Sequence, residues 1–179
     1  MSPTVLLLPG WHNSGPAHWQ SRWQALYGYE RVEQHNWDFP LRGDWITRLE
    51  DAVCAHEQVV LVAHSLGCIQ VAAWAKFSRN THRVHGALLV APGDVEREEM
   101  QHMLYSWSPI VRDALPFDSV TVVSRNDPYC SYLRACKLAS DWGSRLVDVG
   151  NCGHINADSG LDDWSRGHAL LEEFLVSVE

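Results

Sequence analysis

Short, continuous apolar runs alternate along the chain with stretches in which apolar residues recur every three or four positions. Continuous runs of this kind predict strands that are buried on both faces of a parallel sheet. The second of the runs is the least apolar, and we expect it near an edge of the sheet. Six strands are predicted, at Thr4–Leu8, Arg31–His35, Val59–Val62, Val84–Ala91, Ser119–Ser124 and Arg145–Val149.

Residues with helical spacing lie between these strands. Trp19, Trp23 and Leu26 predict an amphipathic helix that starts near Pro16 and ends at Gly28. Further helices are predicted after Asp44 as N-cap, over Ser65–Ser78, over Tyr129–Trp142, and after a capping box of Ser159 and Asp162.

The alternation of strand and helix predicts the α/β class: a compact, about six-stranded, mostly parallel sheet with helices on both faces. We expect residues 1–179 to form one domain, because the length suits a single core and no linker or repeat interrupts the pattern. Right-handed crossovers bring the loops that follow the strands to one edge, where open α/β sheets bind ligands. Residues 92–118 are polar and mixed, which predicts a lid-like or surface segment.

Charge and composition narrow the classes of function. The chain has 22 acidic and 14 basic residues, a formal net charge of −8. This charge disfavours nucleic-acid phosphates and anionic membranes as partners. No apolar stretch approaches the roughly 20 residues that span a bilayer, and the N-terminal segment lacks the positive residues of a signal peptide. The 5 cysteines form no Cys-x-x-Cys pair, so reduced thiols and a cytoplasmic location are expected.

The strand Val59–Val62 leads through Ala63-His64-Ser65-Leu66-Gly67 directly into an almost wholly apolar helix. A serine on a tight turn between strand and helix is typical of a nucleophile elbow, in which backbone strain projects the hydroxyl beyond the sheet. Ala63 and Gly67 are small, as the close approach of strand and helix requires. Ala63 stands where the usual pattern has glycine, which weakens the motif. The alternative is therefore an ordinary parallel strand followed by a helix, with a serine that has no catalytic role.

Two later loops supply partners for this serine. A serine becomes a nucleophile only when a base removes its proton, and the base needs an orienting carboxylate. Asp127 follows the fifth predicted strand and His154 follows the sixth, which is the chain order of α/β-hydrolases. We interpret Ser65 as nucleophile, His154 as general base and then acid, and Asp127 as the orienting carboxylate. The open alternatives are Asp94 as the acid, His64 as the base, and Asp127 as a simple helix cap.

A tetrahedral intermediate also requires hydrogen-bond donors for its oxyanion. The backbone N–H of Leu66, directly after the serine, is the first candidate, and that of Trp11, after the first strand, is the second. Of the 9 tryptophans, Trp37 and Trp107 lie in loops expected to face the same edge. They are candidates for an apolar substrate pocket, with a role as anchors of their loops as the alternative.

No metal and no cofactor are expected. The pairs His82/His85 and Cys152/His154 lack further ligands at metal-binding spacing. No glycine-rich phosphate-binding loop is present either.

Taken together, these features resemble one known group. The ordered set comprises Pro9-Gly10, His18-Trp19-Gln20, His64-Ser65-Leu66-Gly67, Asn126-Asp127-Pro128 and Gly153-His154. It is similar to that of the YdeN-type, retinoblastoma-binding protein nine-like small serine hydrolases of the α/β-hydrolase superfamily, over nearly the whole chain. The resemblance implies a compact α/β-hydrolase fold without a separate cap domain. It also implies a triad of Ser65, Asp127 and His154.

Two functional hypotheses follow. The first is an esterase-like serine hydrolase that cleaves a small or medium carboxylic ester and whose activity rises with pH as His154 loses its proton. The second is a protein-binding module on the same scaffold, with a protein partner as the name of the resembled group implies.

Overall fold

The computed structural model describes residues 2–176, which form one parallel sheet with helices on both faces. The strands are β1 (Thr4–Leu8), β2 (Glu30–Arg31), β3 (Val59–His64), β4 (Val84–Val90), β5 (Ser119–Val123) and β6 (Arg145–Asp148). Their order is β2-β1-β3-β4-β5-β6, and every neighbouring pair is parallel. The predicted α/β class and six-stranded sheet are confirmed.

Helices connect most of the strands. They are α1 (Trp19–Tyr27), α2 (Arg42–Cys54), α3 (Leu66–Phe77), α4 (Gln101–Leu104), α5 (Tyr132–Asp141) and α6 (Ser165–Val176). Short 3₁₀ turns lie at Thr81–Arg83, Glu98–Met100, Tyr105–Trp107 and Ala157–Ser159. The turns on either side of α4 make residues 98–107 one nearly continuous helical segment.

The core consists of two apolar layers, one on each face of the sheet. Side chains alternate between the faces along each strand, so Leu6 and Leu8 join the layer that contains α2 and α3. Val5 and Leu7 join the opposite layer, which contains α1 and α6. The continuous apolar runs in the sequence arise because both faces of the central strands are covered.

The edge strand β2 is shorter than predicted. Only Glu30 and Arg31 pair with β1. After the N–H of Val32 donates to the carbonyl of Leu7 at 2.9 Å, no further strand pairing follows. The residues up to His35 were predicted as strand from their pattern alone, whereas pairing depends on the direction that the chain takes after Val32.

The final helix begins later than predicted. Its expected capping box of Ser159 and Asp162 is absent, and Ser159 instead forms a capping box with Asn156 around the short 3₁₀ turn. Asp162 and Trp164 have φ values of 50° and 43°, which no right-handed helix accommodates. The helix therefore starts at Ser165. In α2, similarly, Asp44 lies in the first turn and Leu41 is the N-cap residue.

The segment of residues 92–118 packs into the core instead of lying loosely on the surface. Val95, Leu104, Trp107 and Ile110 are all buried against the layer formed by α2 and α3. Leu104 and Trp107 belong to the helical segment 98–107, whereas Val95 and Ile110 lie in the irregular chain on either side of it. This segment forms one wall of the cavity described below.

Candidate active site

Ser65 lies on the tight turn between β3 and α3. Its backbone has φ 55° and ψ −117°, in the positive-φ region that residues with a Cβ atom avoid. The N–H of Ser65 donates to the carbonyl of Val90 on the neighbouring strand, and the N–H of Cys68 donates to the carbonyl of Ser65, both at 3.0 Å. These bonds hold the turn in its strained conformation at the carboxyl end of the sheet.

Glycines allow the elements around the serine to approach it closely. A Cβ on Gly67 would lie 2.3 Å from the carbonyl oxygen of Leu8, so only glycine lets α3 pass β1 at this distance. A Cβ on Gly10 would lie 3.0 Å from the Cβ of Ser65, and one on Gly93 would lie 3.2 Å from its Oγ. The loops after β1 and β4 therefore lie directly against the serine.

His154 lies between Ser65 and Asp127. Its Nε2 is 2.8 Å from the Oγ of Ser65, and its Nδ1 is 2.9 Å from both carboxylate oxygens of Asp127. A carboxylate only accepts, so the hydrogen-bond network assigns the proton to Nδ1 and leaves Nε2 to accept from the serine hydroxyl. The side chains of His154 and Asp127 are 9% and 4% exposed, and burial strengthens such bonds.

The alternative assignments are less consistent with the geometry. Asp94 faces Arg134, whose Nε lies 3.4 Å from its Oδ2. His64 points its Nε2 at the carbonyl of His154, 2.9 Å away. The Oδ1 of Asp127 does accept from the N–H of Tyr129 at 2.8 Å, so this carboxylate caps a turn and binds His154 at the same time.

Hydrogen bonds join the loop that carries Asp127 to the loop that carries His154. The Oδ1 of Asn126 accepts from the N–H of Gly153 at 2.8 Å, and the Oγ of Ser124 accepts from the N–H of Cys152 at 2.9 Å. These donors and acceptors lie one to three residues before Asp127 and His154, so the two bonds tie the loops to each other directly ahead of both functional side chains.

Two further histidines are buried beside His154. The ring centroid of His64 lies 4.8 Å from that of His154 and 4.6 Å from that of His18. Burial, and then the neighbouring His18 and His154, hold the pKa of His64 well below its usual value. Burial is also the main cause that lowers the pKa of His18 to about 3, with His154 and Arg31 adding to it. Both rings are therefore neutral near pH 7.

The two backbone N–H groups predicted to bind the oxyanion, those of Leu66 and Trp11, belong to neighbouring segments beside Ser65. Leu66 is the first residue of α3, so its N–H has no acceptor within the helix. The N–H groups of Leu66 and Trp11 take part in none of the turn and loop hydrogen bonds between backbone groups of residues 2–176. A Cβ on Gly10, the neighbour of Trp11, would lie 3.2 Å from the nitrogen of Leu66, so the two segments are in direct contact.

A cavity of about 370 Å³ opens above Ser65. Val95, Met100 and Leu104 of the 92–118 segment make one part of its wall apolar. His18 and His154 lie on its lining as well. A cavity of this size and lining has room for a small organic molecule with one apolar portion, next to the serine hydroxyl.

Trp37 and Trp107 do not line this cavity, and their prediction as pocket residues is wrong. Trp107 is fully buried and its Nε1–H donates to the carbonyl of Pro40 at 2.9 Å. The rings of Trp37 and Trp107 both pack against Trp45, at centroid distances of 5.6 and 5.4 Å. They anchor their loops to the core, while Trp11 does line the cavity.

Sequence reasoning missed several residues of the cavity wall. Gly93 lies in the loop after β4, three residues beyond Val90 and next to Asp94, the alternative acid. Tyr129 lies two residues after Asp127, and its ring packs edge-on against His154 with centroids 4.6 Å apart. Met100, Leu104 and Trp107 follow one another at helical spacing, and this signal was missed because only a short helix around Glu96, Glu98 and Glu99 was inferred in residues 92–118.

Within residues 2–176, no three side chains among His, Cys, Asp and Glu are grouped so as to hold a metal ion. No helix in that range is long and apolar enough to cross a membrane.

A family model described as serine hydrolase matches residues 5–173. A protein from Pectobacterium atrosepticum described as a YdeN-like hydrolase is 32% identical, with 97% of this chain and 90% of that chain covered and a TM-score of 0.85. The ydeN gene product of B. subtilis is 19% identical, with 97% and 98% covered and a TM-score of 0.76.

A third solved structure shares the fold at greater distance. Esterase 2 of Thermogutta terrifontis is 16% identical, with 99% of this chain and 83% of that chain covered and a TM-score of 0.69. No curated protein matches the sequence.

Proposed function

This chain belongs to the serine hydrolase family, as a YdeN-type member with the α/β-hydrolase fold, and from that premise we propose that it cleaves a small or medium carboxylic ester through an acyl-enzyme on Ser65. One observation carries the proposal. The Nε2 of His154 is 2.8 Å from the Oγ of Ser65 while its Nδ1 is 2.9 Å from the carboxylate of Asp127. This arrangement activates a serine hydroxyl and has no use in a pure binding surface.

In the first half-reaction, the Oγ of Ser65 attacks the ester carbonyl as its proton passes to the Nε2 of His154. The buried carboxylate of Asp127 stabilises the imidazolium that forms. His154 then gives the proton to the departing alkoxide, the bond between carbonyl carbon and alcohol oxygen breaks, and the acyl group remains on Ser65. Because His154 protonates the leaving group, the alcohol part of the ester lies on the His154 side.

In the second half-reaction, a water molecule takes the place of the alcohol. His154 removes its proton, the hydroxide adds to the acyl carbonyl, and the bond to Ser65 breaks as Oγ regains the proton. The carboxylic acid leaves and the enzyme returns to its starting state. No cofactor enters either half-reaction.

The negative charge on the carbonyl oxygen would be bound by the N–H groups of Leu66 and Trp11. The first is at the N-terminus of the 12-residue helix α3, where the helix dipole favours negative charge. Loss of one such donor typically costs about 3 kcal/mol of transition-state stabilisation. The acyl group would lie against Val95, Met100 and Leu104.

We propose further that the hydrolase consists of a single domain. Residues 1–179 act as one α/β-hydrolase domain, which is supported by the family match over residues 5–173 and by the single sheet. Met1 and residues 177–179 lie outside the described residues.

Labelling with a fluorophosphonate tests the proposal, since this reagent phosphonylates only an activated serine. We expect wild-type protein to be labelled at Ser65 and the Ser65→Ala variant to remain unlabelled. His154→Ala should lower the labelling rate by about 10³-fold or more, because the serine loses its base. Labelling of a folded Ser65→Ala variant, or none of folded wild type, would refute the assignment.

A series of nitrophenyl esters with increasing acyl length then measures the size of the acyl site. The rate of hydrolysis should fall once the acyl chain is longer than the apolar part of the cavity. The protein-binding alternative predicts that Ser65→Ala retains a partner in a pull-down while wild type shows no ester hydrolysis.

A further inference from the structure

His18 is held in one orientation by the helix that it precedes. It is the N-cap residue of α1, with φ −72° and ψ 141°, and its Nδ1 accepts from the N–H of Gln20 at 3.1 Å. A backbone N–H can only donate, so Nδ1 carries no proton. The neutral ring must then carry its proton on Nε2, which is thereby a donor.

The ring stays in this neutral form across the working range of an enzyme. Burial, with the neighbouring His154 and Arg31, lowers the pKa of His18 to about 3. His18 therefore cannot serve as a general base at neutral pH, because that requires a group that exchanges protons there. It presents a fixed N–H donor.

The Nε2–H of His18 has no acceptor. The residue is 4% exposed, and Nε2 is buried without a hydrogen-bond partner among residues 2–176. Buried polar groups are nearly always paired, and an unpaired one calls for a ligand, a water molecule or a functional reason. The N–H of Gln20 occupies Nδ1, so the free donor, Nε2–H, is on the side of the ring that points away from helix α1.

His18, which carries that free donor, contributes to the lining of the cavity above Ser65, as does His154. The ring of His64 lies between them, 4.6 Å from His18 and 4.8 Å from His154. His18 is therefore on the side of the cavity where His154 would protonate the leaving group. The apolar wall of Val95, Met100 and Leu104 belongs to the separate 92–118 segment.

We propose that His18 is a substrate-binding residue whose Nε2–H donates a hydrogen bond to an acceptor oxygen in the alcohol part of the ester. This inference rests on the proposed hydrolase function and narrows its substrate class. The preferred esters have an apolar acyl group and an alcohol part that carries an ether, hydroxyl or carbonyl oxygen.

Two nearly isosteric probes test this inference. 2-Methoxyethyl butyrate and butyl butyrate share the acyl group and differ by one ether oxygen in the alcohol part. The variant His18→Asn keeps an N-cap acceptor for the N–H of Gln20 but removes the distal donor. We expect the ratio of kcat/KM for the two esters, methoxyethyl over butyl, to fall about five- to tenfold in this variant, the value of one neutral hydrogen bond.

The ratio is the readout, because loss of the donor should slow hydrolysis of the methoxyethyl ester more than that of the butyl ester. His18→Ser, which also keeps a cap, should behave alike if the asparagine disturbs folding, and His82→Asn, at an exposed histidine outside the cavity, is the matched control. An unchanged ratio, or an equal loss for both esters, overturns the role of His18. Fluorophosphonate labelling of the same samples separates this result from failure of the hydrolase proposal, since labelling should persist in every His18 variant.

Discussion

At the scale of single residues, the site depends on how closely neighbouring atoms approach Ser65. The serine has a φ of 55°, and the loops after β1 and β4 contact it through Gly10 and Gly93. Because glycine has no Cβ atom, a substrate or another segment of the backbone can approach it closely. For Gly93 the room is directly above the Oγ atom, where the ester carbonyl would lie.

Gly93→Ala should therefore reduce activity without disturbing the fold. The new methyl group would lie 3.2 Å from the Oγ of Ser65 and 4.0 Å from the nitrogen of Leu66, so it would occupy the position of the substrate carbonyl. We expect kcat/KM for a nitrophenyl ester to fall by about 10²-fold, the effect of a misplacement of roughly 1 Å. Steady-state kinetics, with thermal unfolding measured in parallel, provides the measurement.

Gly43→Ala is the matched control, because a Cβ there meets nothing within 4 Å. It lies on the exposed face of α2, where alanine should raise stability by roughly 0.5–1 kcal/mol. Its kinetics should equal those of wild type. If Gly93→Ala kept full activity, the oxyanion position that we assign beside Leu66 would be wrong.

At the scale of elements, prediction succeeded where one local signal was sufficient. β1 was predicted with its observed bounds, and α1 ends before Gly28, which takes φ 70° as its C-cap. The position of Ser65 between β3 and α3 was predicted from small residues around it. Prediction failed for β2 and for the start of α6, where chain direction and residues with positive φ decide the outcome.

Gly67→Ala should loosen the contact between α3 and β1. The added Cβ would lie 2.3 Å from the carbonyl oxygen of Leu8, and backbone cannot move aside as a flexible side chain can. We expect a loss of about 3 kcal/mol in the free energy of unfolding, as in overpacked cores, in spite of the better helix propensity of alanine. Urea denaturation followed by circular dichroism measures the change.

Gly86→Ala provides the comparison for that variant. A Cβ at Gly86 would lie 2.2 Å from a ring atom of Phe174 on α6, and this side chain can rotate or shift with its helix. Its destabilisation should be smaller than that of Gly67→Ala. The reverse order would mean that α3 can slide along the sheet, contrary to the tight junction described for the elbow.

At the scale of the whole molecule, buried neutral histidines link global stability to pH. His18 has its pKa lowered to about 3 by burial first of all, whereas an unfolded chain protonates histidine near a pKa of about 6.5. Below that pH the unfolded state binds protons that the folded state does not bind. Stability is therefore present in full above about pH 6.5 and is lost as pH falls from there towards 3.

Comparison of wild type with His18→Asn isolates this effect. Between pH 7 and pH 5, wild type should lose about 2 kcal/mol more of its free energy of unfolding than the variant loses. His64 is kept neutral mainly by burial, with His18 and His154 as smaller causes that also lower its pKa, so most of its contribution to the pH dependence is common to both proteins. Urea unfolding at the two pH values gives the result, and equal losses in both proteins would show that His18 is protonated in the folded state.

The sequence by itself determined the α/β class, the parallel sheet and the loops that carry Ser65, Asp127 and His154. These follow from local periodicity and from the rule that strand-to-helix loops share one edge of the sheet. Only the tertiary structure decided which side chains surround the serine. Trp107 lies in the core instead of the cavity, and Val95, Met100 and Leu104 form the wall. Met100, Leu104 and Trp107 lie in the short helical segment 98–107. Contacts with residues distant in the chain decide which of them faces the core and which faces the cavity, and no local pattern encodes those contacts.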